Sequence, residues 1–221
     1  MLFPDVPRVG YRFGLLFLAL LVGGIAHAAE IVDAPLIDLK KLDPSIVVDL
    51  RYATANNVTH HPLYAPHMPA LVRATVAERL VAAQTYLRAH GFGLKIWDAY
   101  RPLSAHRKLW ESTKATTYVA DPNDSIGSLH TRGVAVDATL VDNWGRPVEM
   151  PTDFDNFTPA AMLNYSGTNA KIRFHLQMLQ SAMGRVGFYG LRTEWWHFCA
   201  EDWAKFRPVA ESVALPEKAR D

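Results

Sequence analysis

Two short segments constrain this chain more than any other feature. They are Ser128-Leu129-His130-Thr131-Arg132-Gly133-Val134-Ala135-Val136-Asp137 and, about sixty residues on, Glu194-Trp195-Trp196-His197. Together they carry two imidazoles, a carboxylate at ligand spacing and a second carboxylate to spare. Three N/O protein ligands with an open fourth position are what a catalytic zinc ion requires. A free Glu beside such an ion is the base that an activated water requires. The pattern reads as a zinc hydrolase, and it asks the fold to bring residues far apart in sequence to one point.

Bulk properties set the frame. The chain has 221 residues, 49% of them hydrophobic, which suits one globular domain with a real core. Lys+Arg number 23 against 22 Asp+Glu, and no basic run is present, so nothing supplies the phosphate contacts of a nucleic-acid binder. Arg8 and Arg12 precede an apolar run from Phe13 to Ile25, followed by Ala26-His27-Ala28. That order is expected for a secretory signal over residues 1–28, cleaved after Ala28, with the enzyme domain at 29–221. An uncleaved membrane anchor is the alternative, although the run is short for a span of roughly 20 residues. The expected location is the periplasm or cell envelope, with only transient membrane contact. Export normally invites disulfides, yet Cys199 is the only cysteine, so the fold must stand on its core and its metal. Cys199 reads as a small buried hydrophobe, or as a further zinc ligand if the strand that carries His197 stays regular.

Local patterns predict the elements. Ser45–Tyr52 is rich in strand formers, and His60–Pro69, with three prolines and three histidines, reads as a loop. Arg73–His90 has apolar residues at helical spacing (Val76, Leu80, Ala83, Leu87) and stops before Gly91. Leu94–Tyr100 reads as a strand, with a helix opening at Pro102 and running to about Lys114. Asp121–Gly127 and Glu149–Gly167 read as irregular, Gly133–Val141 as a central strand, Ala170–Val186 as a second long helix, and Glu194–Phe198 as a strand. Strands mixed with helices, without strict βαβ alternation, predict a single α+β domain with a central, mainly antiparallel sheet flanked by helices.

The chemistry-bearing residues also admit plainer readings. Alone, His130 is a surface histidine, Asp137 a turn cap, and Glu194-to-His197 the polar ends of a Trp-rich core strand. Gly133 and Ala135 leave room beside an ion. Glu194-x-x-His197 lacks the helical setting in which such a pair shares a face, and on a regular strand positions i and i+3 point oppositely. The pair serves one site only where the strand ends or twists. Arg101, after the Tyr-Arg-Pro corner, is either a surface ion pair or a site cation. The His60, His61 and His67 group reads as solvated loop, and Trp195 and Trp196 as core or pocket wall.

Taken jointly, the landmarks resemble a known arrangement. Ser-x-His-x-x-Gly-x-Ala-x-Asp followed by Glu-x-x-His resembles the zinc D,D-peptidase superfamily, which includes D-alanyl-D-alanine carboxypeptidases and, by fold, the Hedgehog signalling domain. Asp49-Leu50-Arg51-Tyr52-Ala53-Thr54 with Asn56-Asn57, Trp97-Asp98-Ala99-Tyr100-Arg101-Pro102, Asp153-Phe154-Asp155 and Glu194-Trp195-Trp196-His197 are similar to the D-alanyl-D-alanine dipeptidases of the VanX type, over about residues 45–200. The resemblance implies one zinc ion held by His130, Asp137 and His197, with Glu194 as general base and Arg101 stabilising the transition state. It places Tyr52 and Asp155 near the substrate ammonium, with Asp153 as a rival, and Ser128 near the carboxylate. The implied partner is a small dipeptide, and the implied reaction is hydrolysis of D-alanyl-D-alanine to two D-alanines. The alternatives are a zinc D,D-carboxypeptidase or endopeptidase acting on peptidoglycan stem peptides, and a non-catalytic zinc-stabilised binding domain.

Overall fold

The computed structural model describes residues 34–113 and 118–211. The expected leader and its cleavage point lie outside them. Among the described residues, seven strands and four α-helices follow in chain order: β1 Leu36–Asp38, α1 Leu39–Leu42, β2 Val47–Val48, β3 Leu71–Arg73, α2 Ala74–Ala89, β4 Phe92–Asp98, α3 Leu103–Thr113, β5 Ala135–Asp142, α4 Ala170–Gly184, β6 Phe188–Leu191 and β7 Glu194–Ala200. Five strands form one sheet in the order β2-β4-β5-β7-β6, parallel at β2-β4 and antiparallel elsewhere. β1 and β3 form a separate antiparallel pair. This is the α+β class expected from the sequence. Among the described residues, no helix is long and apolar enough to cross a membrane.

The two long helices cover the sheet because their apolar residues recur at helical spacing. α2 buries Val76, Ala77, Leu80, Ala83 and Leu87, and α4 buries Ile172, Leu176, Leu179 and Met183. α4 is started by Asn169, whose side chain accepts from the backbone N–H groups of Lys171 and Ile172. α2 stops where Gly91 takes φ +86°, a conformation that glycine alone adopts without strain. β5 is buried along almost its whole length, as a central strand must be.

Several local readings change. The strand expected over Ser45–Tyr52 shortens to Val47–Val48, because the chain turns into a short 3-10 helix at Arg51–Ala53. β1, β3, β6 and α1 are too short to leave a periodic signal. Gly133 does not make room for an ion: it follows the 3-10 turn Leu129–Arg132 at φ +70°, and a Cβ there would meet Leu36 Cδ2 at 2.6 Å.

Candidate active site

One row of paired residues crosses three strands. A β-bulge in β4 sets two residues against one, so that Ile96 pairs with Ala138 but Asp98 pairs with Asp137. Asp137 in turn pairs with His197 on β7. Residues directly opposite on neighbouring strands share a face, so Asp98, Asp137 and His197 project together. The 3-10 turn ahead of β5 adds His130, and the chain leaving β4 adds Arg101, whose backbone N–H donates to the His130 carbonyl at 3.2 Å.

His130, Asp137 and His197 converge within this row. His130 Nε2 lies 3.2 Å from His197 Nδ1 and 3.5 Å from Asp137 Oδ1, and His197 Nδ1 lies 2.9 Å from Asp137 Oδ1. A tetrahedral zinc site with ligand bonds of about 2.0–2.1 Å has ligand-to-ligand edges of roughly 3.3–3.4 Å, close to the spacing here. Tautomers favour the same use. The Ala99 carbonyl, 2.8 Å from His130 Nδ1, can only accept, so the proton sits on Nδ1 and the Nε2 lone pair faces the cluster. His197 Nε2 lies 3.1 Å from Cys199 Sγ. Cys199 is therefore buried on the same side of a regular strand as His197, but it stands behind the imidazole. Burial alone would raise the Asp137 carboxyl; the His130 and His197 rings beside it hold it well below the usual range. The donors present fit a divalent ion of zinc's preference.

Glu194 solves the i, i+3 problem at the strand end. β7 begins at Glu194, and its pairing with β6 jumps there from Gly190–Phe198 to Leu191–Glu194. The irregularity leaves Glu194 Oε2 3.9 Å from His197 Nδ1. Burial lifts its carboxyl to about 8, although His197 pulls the other way. A divalent ion held by the neighbouring cluster would draw it down, towards the neutral range where a carboxyl both takes and returns protons.

Arg101 is a buried cation, not a surface ion pair. Its Nε and Nη2 donate to Asp98 Oδ2 at 2.9 and 2.7 Å, its Nη2 stands 3.7 Å from Asp137 Oδ2, and its guanidinium lies 4.8 Å from the Tyr52 ring centre. Asp98 is wholly buried and also accepts from the Ala99 N–H and the Tyr64 hydroxyl. Asp98 lies in the Trp-Asp-Ala-Tyr-Arg-Pro run, but sequence reasoning gave it no role. Its role depends on the bulge that sets it opposite Asp137, which no local pattern announces.

The pocket in front of these groups measures about 210 Å³ and is lined by Tyr52, Arg101, Ser128, Asp137, Asp155 and Glu194, among others. That is below the roughly 300–1,000 Å³ of sites for drug-sized ligands. No residue of α2 or α4 lines it; α3, the strands β5, β6 and β7 and the loops do. Asp155 takes φ +55° and accepts from Tyr52 Oη at 3.2 Å and the Val58 N–H at 3.1 Å. Burial pushes its carboxyl up to about 7, against the lowering effect of the Val58 N–H. Asp153 instead is exposed and lies 3.5 Å from Arg51. His60, His61 and His67 are exposed, and Trp195 and Trp196 are buried outside the pocket lining.

Two imidazoles and a carboxylate converging on one point, with a buried carboxyl and a buried guanidinium beside a small pocket, define a metallohydrolase type of site. The Peptidase_M15 family model, described as D-ala-D-ala dipeptidase, matches residues 33–213. A D-alanyl-D-alanine dipeptidase of Escherichia coli is 31% identical over 179 residues, covering 81% of this chain and 91% of that protein. One from Enterococcus faecium is 30% identical over 172 residues, covering 70% and 85%. A solved structure of VanYB in complex with D-alanine-D-alanine aligns with a TM-score of 0.39 at 17% identity, over 62% of this chain and 76% of that one. The chain belongs to the D-alanyl-D-alanine dipeptidase family, a family of zinc metallopeptidases.

Proposed function

We propose that this protein hydrolyses D-alanyl-D-alanine to two D-alanines, with one zinc ion held by His130, Asp137 and His197. The observation that carries the reading is the cross-strand row Asp98, Asp137, His197, which joins the donor cluster to Arg101 on one side while the start of β7 adds Glu194 on the other. Zinc at this cluster supplies a Lewis acid that acidifies water and polarises a carbonyl.

The chain's own residues supply the rest. Glu194 takes a proton from the attacking water and passes it to the leaving amine as the peptide C–N bond breaks. Arg101 has five N–H donors. Three are engaged, two by Asp98 and one by the His106 ring 3.4 Å away, and the remaining two serve the oxygen on which charge develops. Asp155, braced by Tyr52, faces the substrate ammonium, and Ser128 lies where the carboxylate is to be held. The small pocket favours a free dipeptide over a stem peptide, which needs a longer and more open groove. If residues 1–28 direct export, the substrate is dipeptide released outside the cytoplasm, a scavenging role.

The test compares purified enzyme on free D-alanyl-D-alanine, its L,L and mixed stereoisomers, and a peptidoglycan stem pentapeptide. Fastest turnover of the free D,D-dipeptide is expected. Faster release of D-alanine from the stem peptide would overturn the dipeptidase reading in favour of a carboxypeptidase.

A further inference from the structure

Arg101 is gripped on one side by Asp98, and its other terminal nitrogen faces a group that neither the motifs nor the family assignment assigns. His106 lies on α3, five residues after Arg101, and only 1% of it is exposed. Its Nε2 is 2.9 Å from the Ala120 carbonyl and its Nδ1 is 3.4 Å from Arg101 Nη1. The Ala120 oxygen can only accept, so Nε2 carries the proton; a guanidinium N–H can only donate, so Nδ1 presents its lone pair. The two contacts therefore fix one tautomer of a neutral imidazole. Its environment agrees, since burial, with Arg101 beside it, lowers the ring to about 4.

We propose that His106 is a positioning residue for Arg101, accepting from Nη1 so that the guanidinium cannot turn about its Cζ–Nε axis and its two free N–H groups stay directed into the pocket. Asp98 alone holds the Nε and Nη2 edge through one carboxylate oxygen, Oδ2. A single oxygen leaves the plane of the guanidinium free to rock. The Tyr52 ring restrains one face, and the His106 lone pair supplies the third point that fixes the orientation. His106 also ties this orientation to the pocket wall, because its other nitrogen is bonded at Ala120, next to the pocket-lining Val119. Preorganised donors act only if they are aimed before the charge develops, and His106 is what aims this one.

This inference rests on the proposed role of Arg101, and its test separates the two. His106→Leu fills the space without an acceptor. His106→Gln can accept from Arg101 through its oxygen and donate to Ala120 through its amide. Two measurements are made on the zinc-loaded protein: kcat and KM for D-alanyl-D-alanine, and the terminal-nitrogen NMR signals of Arg101 in ¹⁵N-arginine-labelled protein. In His106→Leu, kcat is expected to fall about ten- to hundredfold, as for a misplaced catalytic group, with KM within about twofold. The separate Arg101 Nη signals are expected to merge as rotation is released. In His106→Gln both properties recover to near the wild-type values. Should His106→Leu fail to fold, the Gln variant and wild type still carry the NMR comparison: loss of resolved Nη signals in folded His106→Gln overturns the proposal. Wild-type kcat and resolved signals in His106→Leu overturn it too. A wild-type enzyme inactive on the dipeptide would contradict the functional reading alone, because the NMR comparison needs no turnover.

Discussion

Arg101 Nη2 lies 2.7 Å from Asp98 Oδ2, and both side chains are buried at the bulged end of β4. Buried ion pairs are weak evidence for stability, but removing one partner leaves an uncompensated charge, at a cost of about 3–5 kcal/mol. Their value here is orientation: Asp98 directs Arg101 from the same strand row that carries Asp137 and His197.

Arg101→Lys is therefore expected to lower kcat by roughly two to three orders of magnitude while zinc content and fold persist. Lysine offers a single point charge in place of a planar fork, so it cannot pair with Asp98 and still reach a developing oxyanion. Steady-state kinetics on D-alanyl-D-alanine, with metal analysis and circular dichroism as controls, check this.

Glu194→Ala is expected to leave zinc bound and to abolish hydrolysis. Glu194 stands beside the cluster without belonging to the closest set of donors. Full activity in this variant would remove Glu194 from the role of base.

Asp155 makes a pH-dependent prediction. Its carboxyl lies at about 7 in the folded chain against about 4 when unfolded. The folded state thus binds the proton more tightly. Between pH 4 and pH 7 the unfolded state has released this proton and the folded state has not, so this group's contribution to stability declines as pH rises through that window. Asp155→Asn is expected to melt close to wild type at pH 4 and above it at pH 8. The same variant raises KM for the dipeptide, since its ammonium loses a carboxylate. A melting difference independent of pH would contradict the assignment.

Gly133→Ala is expected to destabilise the fold by about 1–2 kcal/mol, the cost of an L-residue in the left-handed region, with additional crowding against Leu36. Urea denaturation measures it.

Much of this was legible in the sequence, for physical reasons that differ by residue. The helices over Arg73–His90 and Ala170–Val186 announced themselves through apolar spacing, since a long periodic face has one way to be buried. The β1-β3 pair left no trace, because three-residue strands depend on partners far along the chain. The donor cluster was accessible only through the joint resemblance of its motifs to a known family, since each residue alone admits a plainer reading, and the apparent mismatch of Glu194 with His197 was resolved by where β7 starts. Asp98 and His106 were not legible as site residues. Their importance comes from a bulge and from a helix turned towards Arg101, and neither has a local signature. Asp155 lines the pocket and Asp153 does not, a difference set by the loop's φ of +55° at Asp155 and its inward hydrogen bonds, which the spacing of the two carboxylates could not show.

Zinc content and activity measured together, through chelation and restoration, test the central claim most directly. Purified wild-type protein is expected to carry one zinc ion per chain, to lose hydrolysis of D-alanyl-D-alanine when the ion is stripped, and to regain it on adding zinc. His130→Ala, Asp137→Ala and His197→Ala are each expected to lose the ion. A stripped enzyme that turns over the dipeptide at the wild-type rate would contradict the account.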